Sequence, residues 1–155
     1  MTPTRVVILN NEIMPYRVPL FEQLHRNAAI DLTVLYSTKR SGERDWNLDH
    51  LALSYPHEIL RGVSLRLPKA RFGEFRTIWL NPTLFARLQA LQPDVIIAYE
   101  YSLPALTALI YSRIRKCAYL TWSEMTPYTS RDLSRGQRWM RQIILPRADA
   151  FIGTS

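Results

Sequence analysis

Residues 92–110, QPDVIIAYEYSLPALTALI, decide the fold class. Gln92-Pro93 ends the preceding helix, because proline forces the residue before it out of helical geometry. Asp94–Ala98 then runs apolar without alternation. A strand with one face in water alternates apolar and polar residues, so this one is covered on both faces. Tyr99-Glu100-Tyr101 is the turn that follows. Ser102 is placed to cap a helix from Leu103 to about Ile114. Buried strand, tight turn and covering helix form the repeating unit of a parallel α/β sheet.

The same unit recurs on either side. Arg5–Asn10 (RVVILN) is a buried central strand, and Pro19 fits the first turn of a helix reaching about Arg26. Asp31–Tyr36 is a second strand. Asn81-Pro82 reads as an N-cap and first helical residue, with Leu84, Leu88 and Leu91 at helical spacing behind it. Cys117–Thr121 is a fifth strand, Ser134 to about Leu145 a helix, and Asp149–Gly153 a sixth strand. Residues 37–55 form a long polar loop. His57–Leu60 and Val63–Leu67 are short strand-like pieces around Gly62, and 68–76 is a basic, irregular stretch. The whole chain, 1–155, is expected to be a single α/β domain. Its architecture is a doubly wound, Rossmann-like parallel sheet with helices on both faces and right-handed crossovers.

Composition narrows the function. Apolar residues make up 47% and charged residues 21%, which are globular values and argue against disorder. No stretch approaches the roughly 18 apolar residues of a membrane span. Val6-Val7-Ile8-Leu9 is too short for a signal peptide and no small-residue cleavage site follows, so a cytoplasmic protein is the expectation. One cysteine, Cys117, and three scattered histidines, His25, His50 and His57, offer no metal-ligand spacing, and no metal is expected. The net charge of +7 is uneven: residues 1–100 carry +2 and residues 101–155 carry +5. Arginine dominates, which suits bidentate contact with phosphate or carboxylate. The helix at 134–145 has Trp139, Met140, Ile143 and Ile144 on one face and Arg135, Arg138 and Arg141 toward the other, with Arg131 before it. It reads either as an ordinary core helix with a solvated face or as a peripheral contact with an anionic membrane, at the inner face.

In open parallel sheets ligands bind beyond the carboxyl ends of the strands. That rule selects the loops Asn10–Arg17, Ser37–Trp46, Tyr99–Ser102 and Trp122–Arg131. The first lacks G-x-G-x-x-G, and no G-x-x-x-x-G-K-[ST] occurs, so neither a dinucleotide cradle nor a P-loop is present. Asn10 and Asn11 suit hydroxyls. Arg17 suits phosphate or carboxylate, unless Tyr16 and Arg17 only pack the helix start. Glu100 and Glu124 follow buried strands. They either face one cleft as a carboxylate pair or each pair with a nearby arginine. Trp122, Tyr99, Tyr101 and Tyr128 either stack on a sugar or base or pack the rim. His25 falls in a helix, His50 in a polar loop and His57 at a strand start, so no Ser-His-Asp or Cys-His arrangement is expected and the histidines read as structural or exposed.

The strings VVILNNEIMPYRVPLFEQL, WLNPTLFARLQALQPDVIIAYEYSLPALTAL, YLTWSE and LPRADAFIGTS, taken together and in this order, resemble the N-terminal domain of family 4-type glycosyltransferases. The resemblance implies a GT-B architecture, two Rossmann-like domains facing a cleft, of which this chain is one half. It implies that the N-terminal domain holds the acceptor, and that a C-terminal domain, absent here, holds a nucleotide-sugar donor. The family often uses two glutamates eight residues apart for that donor, and this chain has no such pair. The acceptor cleft then maps to Asn10, Asn11, Tyr16, Arg17, Glu100, Tyr101, Ser123 and Glu124. Many members place a histidine after the fifth strand, where this sequence has Trp122-Ser123-Glu124-Met125, so no catalytic residue is assigned. The implied reaction moves a sugar from a nucleotide-diphosphate sugar to a hydroxyl of a glycan, lipid or small molecule, as in cell-envelope polysaccharide synthesis. It needs no cofactor beyond the donor substrate, and this chain alone is expected to be inactive. The other readings are a non-catalytic module binding a sugar, a nucleotide or a partner subunit, and a basic nucleic-acid or membrane binder. No motif supports specific nucleic-acid binding.

Overall fold

The computed structural model of the chain describes residues 2–39, 48, 51–68, 75–124 and 133–153. Six strands form one parallel sheet. They are β1 (Thr4–Asn10), β2 (Ile30–Tyr36), β3 (His57–Ile59), β6 (Val95–Tyr99), β7 (Ala118–Ser123) and β8 (Ala150–Gly153), in the order β3-β2-β1-β6-β7-β8. All neighbouring pairs are parallel. Strands β4 (Val63–Pro68) and β5 (Phe75–Leu80) pair antiparallel as a separate hairpin. The helices are α1 (Val18–Arg26), α2 (Leu84–Leu91), α3 (Leu103–Arg115) and α4 (Arg135–Ile144).

The unbroken apolar runs are explained by two cores. Side chains alternate across a strand, so consecutive residues of β1 serve opposite faces. Ile8 joins Val18 and Phe21 of α1, with Leu32, Val34 and Tyr36 of β2. Val7 and Leu9 join Leu84 and Leu88 of α2, Ala105, Ala108 and Leu109 of α3, and Ile144 of α4. Phe21 is 1% exposed and meets Tyr55 and Trp122 edge-on at 5.6 and 6.3 Å. Burying such a ring contributes roughly 1.5–3 kcal/mol.

Several local rules hold. Ser102 caps α3, its hydroxyl accepting from Ala105 N at 3.2 Å. Ser134 and Gln137 form a reciprocal capping box on α4. Gln92 closes α2 in the left-handed region at φ 47°. At the amino ends of the strands, Arg5 grips Asp94 with two side-chain bonds of 3.1 and 2.8 Å, fixing β1 beside β6.

Other expectations are corrected. Asn81 does not cap α2: the helix begins at Leu84 with Thr83 before it and no side-chain cap. The Asn81 amide instead donates to the Ser37 carbonyl at 3.2 Å, tying the end of β5 to the end of β2. Residues 75–76, read as irregular, open strand β5, and residues 69–74 lie outside the described residues. Tyr99 belongs to β6, and the turn starts at Glu100, a non-glycine residue with φ 58°. One expectation holds instead: a last strand partly uncovered, since β8 is the edge of the sheet among the described residues and its Phe151 is 61% exposed.

Candidate functional site

The strand order reverses between β1 and β6: β2 lies on one side of this pair and β7 on the other. A crevice opens at such a switch point, beyond the carboxyl ends. Asn10 ends β1, Tyr99 ends β6, and Ser123 ends β7 with Glu124 directly after it. A 3₁₀ turn at Pro15–Arg17 leads into α1 and places Arg17 in the middle of the group.

Arg17 is 2% exposed. Its guanidinium donates to Asn10 Oδ1 at 2.6 Å and to Glu124 Oε1 at 2.5 Å. Its Cζ lies 3.9 Å from the Tyr99 ring centre and 4.2 Å from that of Trp122, two rings set at 83° to each other. Cation–π contact of this kind is worth about 2 kcal/mol when desolvated. Two aromatic walls, one amide and one carboxylate therefore hold a cation that burial alone would expel.

Glu124 receives more than the arginine. Tyr16 Oη and Tyr99 Oη donate to its other oxygen, Oε2, at 3.4 and 3.3 Å. Its side chain keeps 31% exposure, so the carboxylate is fixed from behind and open in front. The Tyr99 phenol is pushed well above its ordinary pKa, first by burial, then by the charges of Glu100 and Glu124. It stays a neutral donor throughout the working pH range, and it brings Glu100 and Glu124 to one hydroxyl.

Several buried polar atoms here have no partner among the described residues: Asn10 Nδ2, Arg17 Nε, Ser37 Oγ and Trp122 Nε1. Native interiors rarely leave such groups unsatisfied without a reason. Ser37 follows β2, and its amide donates to the Asn10 carbonyl at 3.0 Å, which places it beside the group.

The structure thus gathers Asn10, Tyr16, Arg17, Glu100 and Glu124. Asn11 is half-buried next to them, with its carbonyl accepting from Thr38 N at 3.0 Å, and Ser123 is half-buried at the end of β7. Tyr101 does not join. The turn at Glu100 sends it into the opposite core, among Leu84, Ala105 and Tyr119, where Arg141 lies 5.7 Å from its ring centre. Tyr99 and Trp122 do not offer open stacking faces, since both are buried against Arg17. Tyr128 and Arg131 lie outside the described residues, as does most of the Ser37–Trp46 loop. Sequence reading passes over Glu12 and Ser37. Both are buried in strand-end loops that the carboxyl-end rule had already selected, so the rule alone would have included them.

Two concavities lie elsewhere. One, of about 300 Å³, has apolar walls from Ile13, Leu48, Leu51 and Leu53, with Lys39 and His57 also lining it. The other, of about 360 Å³, surrounds Ser112, Lys116 and Cys117 at the amino end of β7, and burial raises the Cys117 thiol there. Among the described residues no three His, Cys, Asp or Glu side chains gather as metal ligands. No helix among them is long and apolar enough to cross a membrane.

The fold has solved counterparts. The UDP-GlcNAc 2-epimerase of Methanocaldococcus jannaschii matches over 98% of this chain at 12% identity, with a TM-score of 0.58. MurG of Acinetobacter baumannii matches over 98% at 11% identity, with a TM-score of 0.58. UGT2 of Phytolacca americana, solved with UDP-2-fluoro-glucose and pterostilbene, matches over 84% at 16% identity, with a TM-score of 0.51. These are GT-B-type folds, and this chain has the Rossmann-like fold of one of their halves. The chain spans 40%, 41% and 35% of their respective lengths. No protein-family model matches the sequence, and no curated protein matches it.

Proposed function

We propose that this chain is the acceptor-side half of a family 4-type GT-B glycosyltransferase. The enzyme would transfer a sugar from a nucleotide-diphosphate sugar to a hydroxyl of a glycan, lipid or small molecule, as in cell-envelope polysaccharide synthesis at the cytoplasmic face. The carrying observation is the group at the switch point. Glu124 is held by Arg17, Tyr16 and Tyr99 with one side open, and at the neighbouring strand ends the buried amide nitrogen of Asn10 and hydroxyl of Ser37 have no partner among the described residues. A sugar hydroxyl both donates and accepts, and this combination of carboxylate, amide and hydroxyl suits it. The role of these residues is to orient the attacking hydroxyl, since positioning lowers the barrier without a reacting side chain. The donor nucleotide falls to a second domain or chain, and no metal or further cofactor is required.

The test uses the protein as its host makes it, supplied with nucleotide-diphosphate sugars and candidate acceptors. Release of nucleoside diphosphate that depends on acceptor is expected. Asn10→Ala should raise the acceptor KM by about tenfold, the loss of one or two hydrogen bonds. No acceptor-dependent release would overturn the proposal. Conversion of the sugar nucleotide without acceptor would place the chain with the epimerases.

One observation favours the alternative, a non-catalytic module for a sugar, a nucleotide or a partner subunit. Among the described residues every crevice carboxylate already has a partner: Glu124 has Arg17, and Glu12 and Glu100 are likewise engaged. Saturable sugar binding without turnover in the native protein would establish that reading.

A further inference from the structure

The concavity of about 300 Å³ near β3 has walls that the fold holds in place. One wall comes from residues 51–55, which are neither strand nor helix. They are tied down nonetheless. Leu51 N donates to the Leu48 carbonyl at 3.2 Å. Ser54 gives its amide, at 2.8 Å, and its hydroxyl to the Glu22 carboxylate of α1. The Tyr55 hydroxyl meets that of Tyr36 at 2.7 Å in the core. His57 and Ile59 stand two residues apart on the edge strand β3, so they share a face. His57 Nδ1 donates to the Tyr55 carbonyl at 2.9 Å, and the two rings meet edge-on. Ile13, 5% exposed, comes from the loop after β1, and Lys39 from the loop after β2.

The lining has one chemistry. Ile13, Leu48, Leu51, Leu53 and Ile59 supply aliphatic walls, and the polar side chains are Lys39 and His57, both exposed. Among the described residues no aspartate or glutamate lines the pocket. The carboxylates on the neighbouring elements are committed elsewhere. Glu22 is taken by Ser54. Glu58 lies between His57 and Ile59, hence on the other face of β3, and is held by Arg87 at 2.6 Å. Glu12, beside Ile13, is buried and engaged. Apolar walls with a few polar groups at defined places are what a small-molecule site requires. Here the polar groups are an ammonium and an imidazole.

We propose that this pocket binds a small apolar anion, an aryl or short acyl group that ends in a carboxylate. The apolar body lies against the five aliphatic side chains, and the carboxylate meets Lys39 and His57 in a charge-assisted contact. A sugar ring is disfavoured, because aliphatic walls leave its hydroxyls without partners. A nucleotide or a long lipid tail is disfavoured by size, since about 300 Å³ is the bottom of the roughly 300–1,000 Å³ range of ligand pockets. The inference does not depend on the sugar chemistry: Asn10, Arg17 and Glu124 take no part in the lining.

The experiment is a titration of the full chain with benzoate and hexanoate, followed by amide chemical shifts. Hexanol serves as the neutral probe of the same length and acetate as the anion without an apolar body. Saturable binding of both apolar acids is expected, with shifts at Ile13, Lys39, Leu53 and Ile59. Hexanol should bind about tenfold more weakly than hexanoate, the loss of one charge-assisted contact, and acetate should not saturate. Lys39→Gln should bring hexanoate down to the level of hexanol and leave hexanol unchanged. Ile59→Ser should weaken both probes by the same factor, about fivefold for the apolar area lost. Both positions are exposed, and the far-ultraviolet spectrum confirms that the variants fold. Equal binding of hexanol and hexanoate, or hexanoate binding that Lys39→Gln does not change, would overturn the proposal. So would shifts confined to other parts of the chain, or no saturable binding of either acid.

Discussion

Arg17 and Glu124 are 107 residues apart in the chain and 2.5 Å apart in the crevice. One is almost wholly buried and the other is one-third exposed. The pair joins the start of α1 to the end of β7 across the switch point. A planar guanidinium is needed there, because it touches Asn10 and Glu124 with different nitrogens while lying against the rings of Tyr99 and Trp122.

Arg17→Lys should therefore behave as a disruptive change, not a conservative one. A single ammonium cannot reach both acceptors or stack on either ring. The expected loss is roughly 2–4 kcal/mol of stability, as for a broken, partly buried ion pair. Urea unfolding measures it. A loss below about 0.5 kcal/mol, the scale of ordinary surface substitutions, would show that the fork geometry contributes nothing.

A second buried pair predicts non-additivity. Tyr36 Oη and Tyr55 Oη share a hydrogen bond of 2.7 Å, and both phenols are pushed up by burial. Tyr36→Phe leaves the Tyr55 hydroxyl unpartnered and should cost about 1–3 kcal/mol. Tyr55→Phe does the converse. With both changed, no orphan hydroxyl is left, so the double variant should cost clearly less than the sum. Strict additivity would show that the hydroxyls do not depend on one another.

The same contrast sets what was legible in the sequence. Strands β1, β2, β6 and β7 were legible because residues such as Val7, Ile8 and Leu9 serve two cores and leave no polar alternation. Strand β5 was not legible, because FRTIWL pairs only with β4, in a hairpin outside the main sheet. Phe151 lies on the last strand of the alternating pattern, which has no later strand among the described residues to cover it, and it stands exposed at the sheet edge. The strand-end rule found Asn10, Arg17 and Glu124, but not that they meet, since such contacts depend on the register of β1, β6 and β7 together. Tyr101 was misplaced by one backbone angle: positive φ at a glutamate leaves no mark in a sequence.

Acid stability should depend on Asp94. Its carboxyl is held at about 2, first by the Arg5 side-chain hydrogen bond and next by the Arg5 backbone amide. Asp149 shifts the same way, chiefly through the Tyr119 amide. A depressed folded-state pKa gives stability that is complete above the unfolded value, about 4, and is lost as pH falls toward the folded one. Asp94→Asn should flatten the stability profile between about pH 4 and pH 2 and leave its slope near neutrality unchanged. Parallel profiles for the two proteins, followed by unfolding at a series of pH values, would remove Asp94 from the acid transition.

Whether Glu124 acts on a ligand or only balances Arg17 can be separated by a pair of variants. Glu124→Gln alone leaves the Arg17 guanidinium buried without its counter-charge, so stability should fall by about 1–3 kcal/mol. Because Glu124 is partly exposed, solvent screening keeps the loss toward the lower end of that range. Arg17→Met with Glu124→Gln removes the buried charge as well. Methionine can fill the space between Tyr99 and Trp122 with favourable sulfur–aromatic contact. Replacing a buried ion pair by neutral groups of similar volume is often neutral, so the double variant should regain most of the lost stability. Sugar-acceptor binding should not return with it, because the oriented carboxylate is gone. The two quantities are measured on the same preparations, unfolding by urea and acceptor binding by calorimetry. If binding recovers in step with stability, the carboxylate serves only the fold, and the acceptor contact shifts to Asn10 and Ser37.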